Sequence, residues 1–360
     1  MTLSAATALH DERTGATIGS GMTSPLTVLD TLGRPMRDLR VSVTDRCNFR
    51  CGYCMPKEVF GADHAFLPRA EVLSFEEIER VVRASVALGV RKVRLTGGEP
   101  LVRHNLEALV ALLAPIDGIE DLTLTTNASL LATKAQALAD AGLHRVTVSL
   151  DALDDETFMR MNDVGFPVSR VLDGIAAAEA AGLGPIKINA VIRHGLNEHA
   201  IVDLAGHFRG TDASVRFIEY MDVGHSNGWR LDDVVPAAEV VAAIDARWPL
   251  ERVKADYRGE VAQRWRYRDG AGEIGVITSV TQPFCGDCTR ARLSADGRLF
   301  TCLFATAGHD VRSIVRSDAT DADLTDALRV IWTGRSDRYS ELRTLETVDL
   351  PKVEMSFIGG

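Results

Sequence analysis

Three cysteines at C-x3-C-x2-C spacing, Cys47, Cys51 and Cys54, are the residues of this chain most evidently able to do chemistry. They share one stretch, Cys47-Asn48-Phe49-Arg50-Cys51-Gly52-Tyr53-Cys54, directly after an apolar β-like run at 39–44. A closed structural zinc needs four ligands, and no fourth cysteine or histidine follows at metal-finger spacing. Thiolates are the usual ligands of iron–sulfur clusters. Three of them can hold three irons of a cubane and leave the fourth open, which makes the open iron a place for a ligand.

A second trio, Cys285, Cys288 and Cys302, is spaced C-x2-C-x13-C, again without an evident fourth ligand. His309 lies close enough in sequence to complete a zinc site, and a second cluster with its own open iron is the other reading. Between these cysteines stand Arg290 and Arg292, two apart and therefore on one face of a strand. Guanidinium forks match phosphate oxygens bidentately. Arg40, Lys92, Arg94, Lys187 and Arg216 each sit within an otherwise apolar β run. Strand charges that cannot face a core face solvent or a lumen, so an anionic ligand inside a barrel is expected.

The elements that must position these groups alternate. Six β-like runs, at 39–44, 92–96, 121–126, 145–150, 186–192 and 214–219, are separated by helical patterns at 75–88, 104–113, 131–141, 169–181 and 198–208, with another at 237–248. Ser74 is placed to cap the first helix. Alternating strands and helices predict a parallel sheet. Six units predict an open, partial (β/α)6 barrel, with a doubly wound sheet as the alternative. Polar residues gather where strands end, at Asp45-Arg46-Cys47, Thr96 to Pro100, Thr125-Thr126-Asn127, Ser149-Leu150-Asp151 and Glu219-Tyr220-Met221. Barrel enzymes build their sites at that rim. After Trp248 two hairpins are expected, 261–267 with 273–278 and 291–294 with 298–303, then helices at 310–316 and 321–331. The division predicted is a disordered tail at 1–22, a barrel at 23–248 and a smaller α+β domain at 249–360.

A hydrophobic fraction of 46% and a charged fraction of 25% are those of a soluble globular protein. The net charge of −10 argues against a general nucleic-acid or membrane-surface binder. No apolar run approaches the roughly 20 residues of a membrane span. Six cysteines could form three disulfides in a secreted chain. Their tight clustering in a long chain without a signal pattern favours ligation in a reducing cytosol.

The first cysteine stretch, with Tyr53 before its last cysteine and Gly97-Gly98-Glu99-Pro100 ending the second strand, resembles the radical S-adenosylmethionine (SAM) superfamily. The resemblance implies that the open iron chelates the methionine part of SAM, whose reductive cleavage releases a 5′-deoxyadenosyl radical. With residues 39–51, Cys285 to Leu293 and the terminal Gly359-Gly360 added, the chain from about Leu32 onward resembles one branch of it. That branch cyclises GTP, a lyase reaction that opens molybdenum-cofactor biosynthesis.

This narrower resemblance implies two 4Fe–4S clusters, one on Cys47, Cys51 and Cys54 and one on Cys285, Cys288 and Cys302. It implies SAM contacts at Tyr53, Gly98, Ser149 and Met221. GTP contacts are implied at Arg40, Lys92, Arg94, Thr125, Lys187, Arg216, Arg290, Ala291 and Arg292. Arg290, Arg292, Gly359 and Gly360 are implied to be needed for turnover, with the glycine tail reaching the active site. The implied partners are an electron donor such as flavodoxin or ferredoxin, a downstream cyclic pyranopterin monophosphate synthase and a second copy of the chain, in the cytoplasm. One departure is Ala128, after Asn127, where the branch usually has glycine. Two competing readings are a radical SAM maturase acting on peptides, which calls for more cysteines in the second half, and a non-catalytic zinc protein, which calls for colourless, air-stable material.

Overall fold

The computed structural model describes residues 27–343 and 350–359. The tail expected at 1–22 and the terminal Gly360 lie outside them. Six strands run side by side and parallel in chain order: β1 (Asp38–Ser42), β2 (Lys92–Thr96), β3 (Asp121–Thr126), β4 (Arg145–Ser149), β5 (Lys187–Ile192) and β6 (Ser214–Glu219). Helices α1 (Phe75–Ala87), α2 (Leu106–Leu113), α3 (Leu131–Asp140), α4 (Asp155–Asn162), α5 (Val168–Ala180) and α6 (Ala200–Phe208) form the crossovers, and α7 (Ala237–Asp245) follows β6.

Local chemistry explains the crossovers. In α1, Ser74 Oγ accepts from Glu77 N at 3.1 Å while Glu77 Oε2 accepts from Ser74 N at 2.7 Å. This reciprocal box satisfies two of the amides that a helix start leaves unpaired. Ile78, Val81, Val82 and Ser85 then form one buried face at helical spacing. On the strands, Leu39, Val41, Val93, Leu95, Leu122, Leu124, Val146 and Val148 are buried beneath the helices. Each such side chain contributes about 1.5–3 kcal/mol relative to exposure. The residues between them face the other way, into the barrel, which is why β1 and β2 alternate apolar with charged.

The second half does not build a sheet apart from the barrel. It supplies β7 (Leu250–Val253), β8 (Gln263–Tyr267), β9 (Glu273–Ile277), β10 (Arg290–Leu293), β11 (Arg298–Phe300) and β12 (His309–Asp310), then α8 (Arg312–Val315), α9 (Asp321–Thr333), α10 (Tyr339–Leu342) and α11 (Met355–Ile358). The twelve strands are ordered β12-β11-β10-β1-β2-β3-β4-β5-β6-β9-β8-β7. Strand β9 pairs parallel with β6, and β10 pairs parallel with β1. The parallel run is thus eight strands wide, with an antiparallel hairpin continuing from each edge.

Candidate active site

The cysteine loop leaves β1 at its carboxyl end and is fixed by local contacts. Phe49 is buried against Phe158 of α4 and Phe166, at ring separations of 6.4 and 5.2 Å. Arg50 staples the loop from within, donating from Nη1 to Cys47 O at 2.8 Å and from Nε to Phe60 O at 2.7 Å. The glycine pair after β2 packs on this loop. A Cβ on Gly98 would lie 2.2 Å from Arg46 O, and one on Gly97, where φ is +146°, 2.4 Å from Thr44 O. The close approach these glycines permit is therefore to the chain's own residues 44–47.

Cys47, Cys51 and Cys54 are half-buried free thiols facing one cavity of about 530 Å³. Burial pushes Cys47 up to about 12, with Glu99 adding to it, and raises Cys51 and Cys54 as well. As a neutral trio they are poor nucleophiles, whereas ligation of a cation releases their protons. Tyr53, Gly98, Ser149 and Met221 line the same cavity. Tyr53 donates its hydroxyl to Asp151 Oδ2 at 2.8 Å, and burial holds Asp151 up at about 6. Glu99, 1% exposed and raised by burial to about 7, accepts from Thr126 Oγ1 and Asn127 N, both at 2.7 Å. Ala128, next in that turn, adopts the left-handed φ of 61° despite its Cβ.

The cations meet in the barrel. Register places Arg40 beside Arg94 of β2 on one side and Arg292 of β10 on the other. Arg94 Nη1 donates to Thr125 Oγ1 at 3.0 Å and to Thr147 Oγ1 at 3.3 Å. Lys92 is paired with Asp121 at 2.9 Å. Among the described residues no carboxylate lies within ion-pair distance of Arg40, Arg94, Lys187, Arg216, Arg290 or Arg292. Burial and mutual repulsion lower Arg40, Arg94, Arg216 and Arg292, the last two to about 9. Burial first, then Arg216, Arg145, Lys92 and Arg94, bring Lys187 down to about 7. Six cations around one cavity, with no carboxylate partner among the described residues, form a strong attractor for a polyanion.

Cys285, Cys288 and Cys302 line the far side of this cavity. Arg290 Nη2 donates to Cys288 Sγ at 3.3 Å. Burial alone would raise the Cys288 thiol, but Arg290 and Arg335 outweigh it and bring it to about 6. Burial leaves Cys302 up at about 12. His309 sits exposed on β12 and does not line the cavity, so it is not the fourth ligand of a zinc site there. Zinc draws thiolates to about 2.3 Å of one point, and among the described residues no three His, Cys, Asp or Glu groups converge in that way. Each trio is a set of free thiols lining one cavity, the ligand type of iron–sulfur clusters.

Of the residues expected in the site, Ala291 stands apart. It is fully buried on the opposite face of β10 from Arg290 and Arg292, so only its backbone is near the cavity. The chain's end does reach the wall: Arg292 Nη1 donates to Gly359 O, and a Cβ on Gly359 would lie 2.3 Å from Thr96 Cγ2. Arg34 and Arg335, which touch the second trio's backbone, and Asp30, which joins them, carried no signal in the sequence because Arg335 lies over 300 residues from the other two.

A barrel rim carrying a C-x3-C-x2-C loop against a Gly-Gly-Glu-Pro turn defines the radical SAM class, and residues 41–208 match the Radical SAM superfamily. Residues 213–341 match the family described as Molybdenum Cofactor Synthesis C. The chain belongs to the GTP 3′,8-cyclase family. It is 57% identical to a GTP 3′,8-cyclase of Acidothermus cellulolyticus, with 94% of this chain and 100% of that protein covered. Identity is 52% to one of Xanthomonas axonopodis pv. citri, over 94% of this chain and 100% of that protein. It is 48% to one of Staphylococcus aureus, over 92% and 99%. Among solved structures, SuiB of Streptococcus suis bound to S-adenosylmethionine shares the fold, with a TM-score of 0.60 at 16% identity over 88% of this chain and 72% of that one.

Proposed function

We propose that this chain is a SAM-dependent GTP 3′,8-cyclase. It converts GTP to 3′,8-cyclo-7,8-dihydroguanosine 5′-triphosphate at the start of molybdenum-cofactor biosynthesis. The observation that carries the substrate is the set of six cations that have no carboxylate partner among the described residues, facing a cavity that also holds two cysteine trios. A 4Fe–4S cluster on Cys47, Cys51 and Cys54 with SAM bound to it supplies the radical that removes hydrogen from C3′ of the ribose. In this reading Cys285, Cys288 and Cys302 would hold a second cluster, which would supply an open iron on the guanine side of the cavity.

The chain's own residues do the placing. Arg40, Arg94, Arg216, Lys187, Arg290 and Arg292 grip the triphosphate, which lies far from the reacting atoms. Binding energy spent there fixes the ribose against the radical source. Lys92 and Thr125 extend the same wall, and the backbone of Ala291 lies behind it. Tyr53, Gly98, Ser149 and Met221 form the SAM side, and Gly359 lies against Arg292. Residues 23–248 supply the SAM site and 249–360 the guanine side and the tail. The electron comes from a donor such as flavodoxin or ferredoxin, and the product passes to cyclic pyranopterin monophosphate synthase. In this reading the enzyme works in the cytoplasm as a homodimer; no described helix is long and apolar enough to cross a membrane. Sedimentation that gives the monomer mass alone rejects the dimer.

The test is anaerobic incubation of iron-reconstituted protein with SAM, GTP and dithionite. 5′-Deoxyadenosine together with a cyclised nucleotide is expected. Deoxyadenosine formed without any GTP-derived product rejects the substrate, and neither product rejects the reaction.

A further inference from the structure

Behind the second cysteine trio lies a buried ion group. Asp30 and Arg34 precede β1, Arg335 follows α9, and they are 6%, 0% and 4% exposed. Asp30 Oδ2 accepts from Arg34 Nε at 2.6 Å and from Arg335 Nη1 at 3.1 Å. Further donors run to the backbone of the cysteine segments, and Arg34 Nη1 also donates to Asp337 O at 2.8 Å. Arg34 Nη1 reaches Cys285 O at 2.7 Å, Arg335 Nη1 reaches Cys288 O at 2.7 Å, and Arg335 Nε reaches Thr301 O, beside Cys302, at 3.0 Å. The arginines are themselves fixed: Thr31 Oγ1 donates to Arg335 O at 2.6 Å, and Trp332 Nε1 donates to Arg34 O at 3.0 Å. The Arg335 guanidinium lies 4.6 Å from the centre of the Trp332 ring.

Burying three charges is costly, and apolar residues of similar volume would hold the fold at least as well. What apolar residues cannot do is bind carbonyls. Cys285 and Cys288 bound a single turn, Cys285–Asp287, which Cys288 N closes by donating to Cys285 O at 3.1 Å; neither carbonyl has a sheet partner. A guanidinium is a rigid fork that bridges fixed acceptors at set angles. One carboxylate locks two such forks, and between them they hold the backbone at all three cysteines. We infer that Arg34 and Arg335, locked by Asp30, are positioning residues that fix the Cys285, Cys288 and Cys302 thiols to receive a cluster. The inference rests on the reading that this trio binds one.

The test uses two full-length parent chains. One carries Cys47→Ala, Cys51→Ala and Cys54→Ala and keeps only the second trio; the other carries Cys285→Ala, Cys288→Ala and Cys302→Ala and keeps only the first. Each is reconstituted anaerobically with iron and sulfide, with and without Arg34→Gln or Arg335→Gln. The readouts are iron per chain, the electron paramagnetic resonance signal of the reduced cluster and the rate of iron loss to a chelator. The second-trio parent is expected to hold about four irons. Either arginine change should speed its iron loss roughly 10- to 100-fold, the scale typical of groups behind metal ligands, and alter the resonance. The first-trio parent should be unaffected by the same changes. Unchanged loss and signal in the second-trio chain overturn the inference. Equal damage to both parents also overturns it, because that marks general destabilisation. A second-trio parent that takes up no iron removes the cluster reading itself.

Discussion

Lys187 offers the sharpest quantitative handle on the anion site. Burial, then Arg216, Arg145, Lys92 and Arg94, bring its ammonium from 10.5 down to about 7. A triphosphate seated among those cations opposes the repulsion and returns the group toward its ordinary range. The free state has the lower pKa, so binding takes up a proton, and the ion pair is fully available below pH 7 and fades as pH rises through it. At pH 7 about half a proton should be taken up per GTP, and at pH 8 about 0.9. Observed affinity should fall about fivefold between those values, about 1 kcal/mol. Calorimetric titration with GTP at pH 8, in buffers of different ionisation enthalpy, measures the uptake directly. Lys187→Arg keeps the charge without the titration, so it should abolish the uptake and flatten the pH profile. Equal proton uptake by wild type and Lys187→Arg would refute the placement of Lys187 against the triphosphate.

Three other changes probe separate parts of the chain. Arg290→Ala removes one guanidinium that has no carboxylate partner among the described residues and should weaken GTP binding by about 1.5–3 kcal/mol while reductive SAM cleavage persists; normal cyclisation by this variant rejects its role. Gly359→Ala puts a Cβ against Thr96 Cγ2 at a φ of +76° and should displace the tail from Arg292, lowering GTP turnover. Adding Thr96→Ser removes that methyl group and should recover part of the loss; no recovery at all argues that the steric clash is not the cause. Ser74→Ala breaks the capping box of α1 and should lower stability by about 1 kcal/mol, read as a lower midpoint in chemical denaturation with unchanged GTP affinity.

Much of this was visible in the sequence, for physical reasons. Strands β2, β3 and β6 fall where alternation and flanking turns place them, because each must bury one face and present the other to a lumen. The same alternation revealed the cations: an arginine such as Arg94, between Val93 and Leu95, has only the barrel interior to face. Strand pairing was less legible. That β10 joins β1 depends on residues 250 positions apart, and no local pattern carries such a pairing. Helix α4 is absent from the expected set, its eight residues being short and opening on acidic Asp155 and Glu156; its capping by Asp154, which accepts from Thr157 N at 2.7 Å, and the helical spacing of buried Phe158 and Met161 are the signals that could have found it. Ala128 was noticed as a departure from glycine, and the structure keeps the left-handed turn all the same. Packing of its neighbours overrides the roughly 1–2 kcal/mol that this conformation costs an L-residue.

The pairing of β10 with β1 also bears on how the protein is made. Strand β1 carries fully buried Leu39 and Val41 and leads straight into the first cysteine loop. Until residues 290–293 have left the ribosome, one side of β1 has no hydrogen-bonding neighbour. Until then the nascent chain shows an apolar open edge, the kind that recruits other strands. Chains ending before β10 should accordingly aggregate instead of accumulating as a soluble half-barrel. In the cell, the strand that leads into the first cysteine loop is paired on both sides only once residues 290–293 have been made.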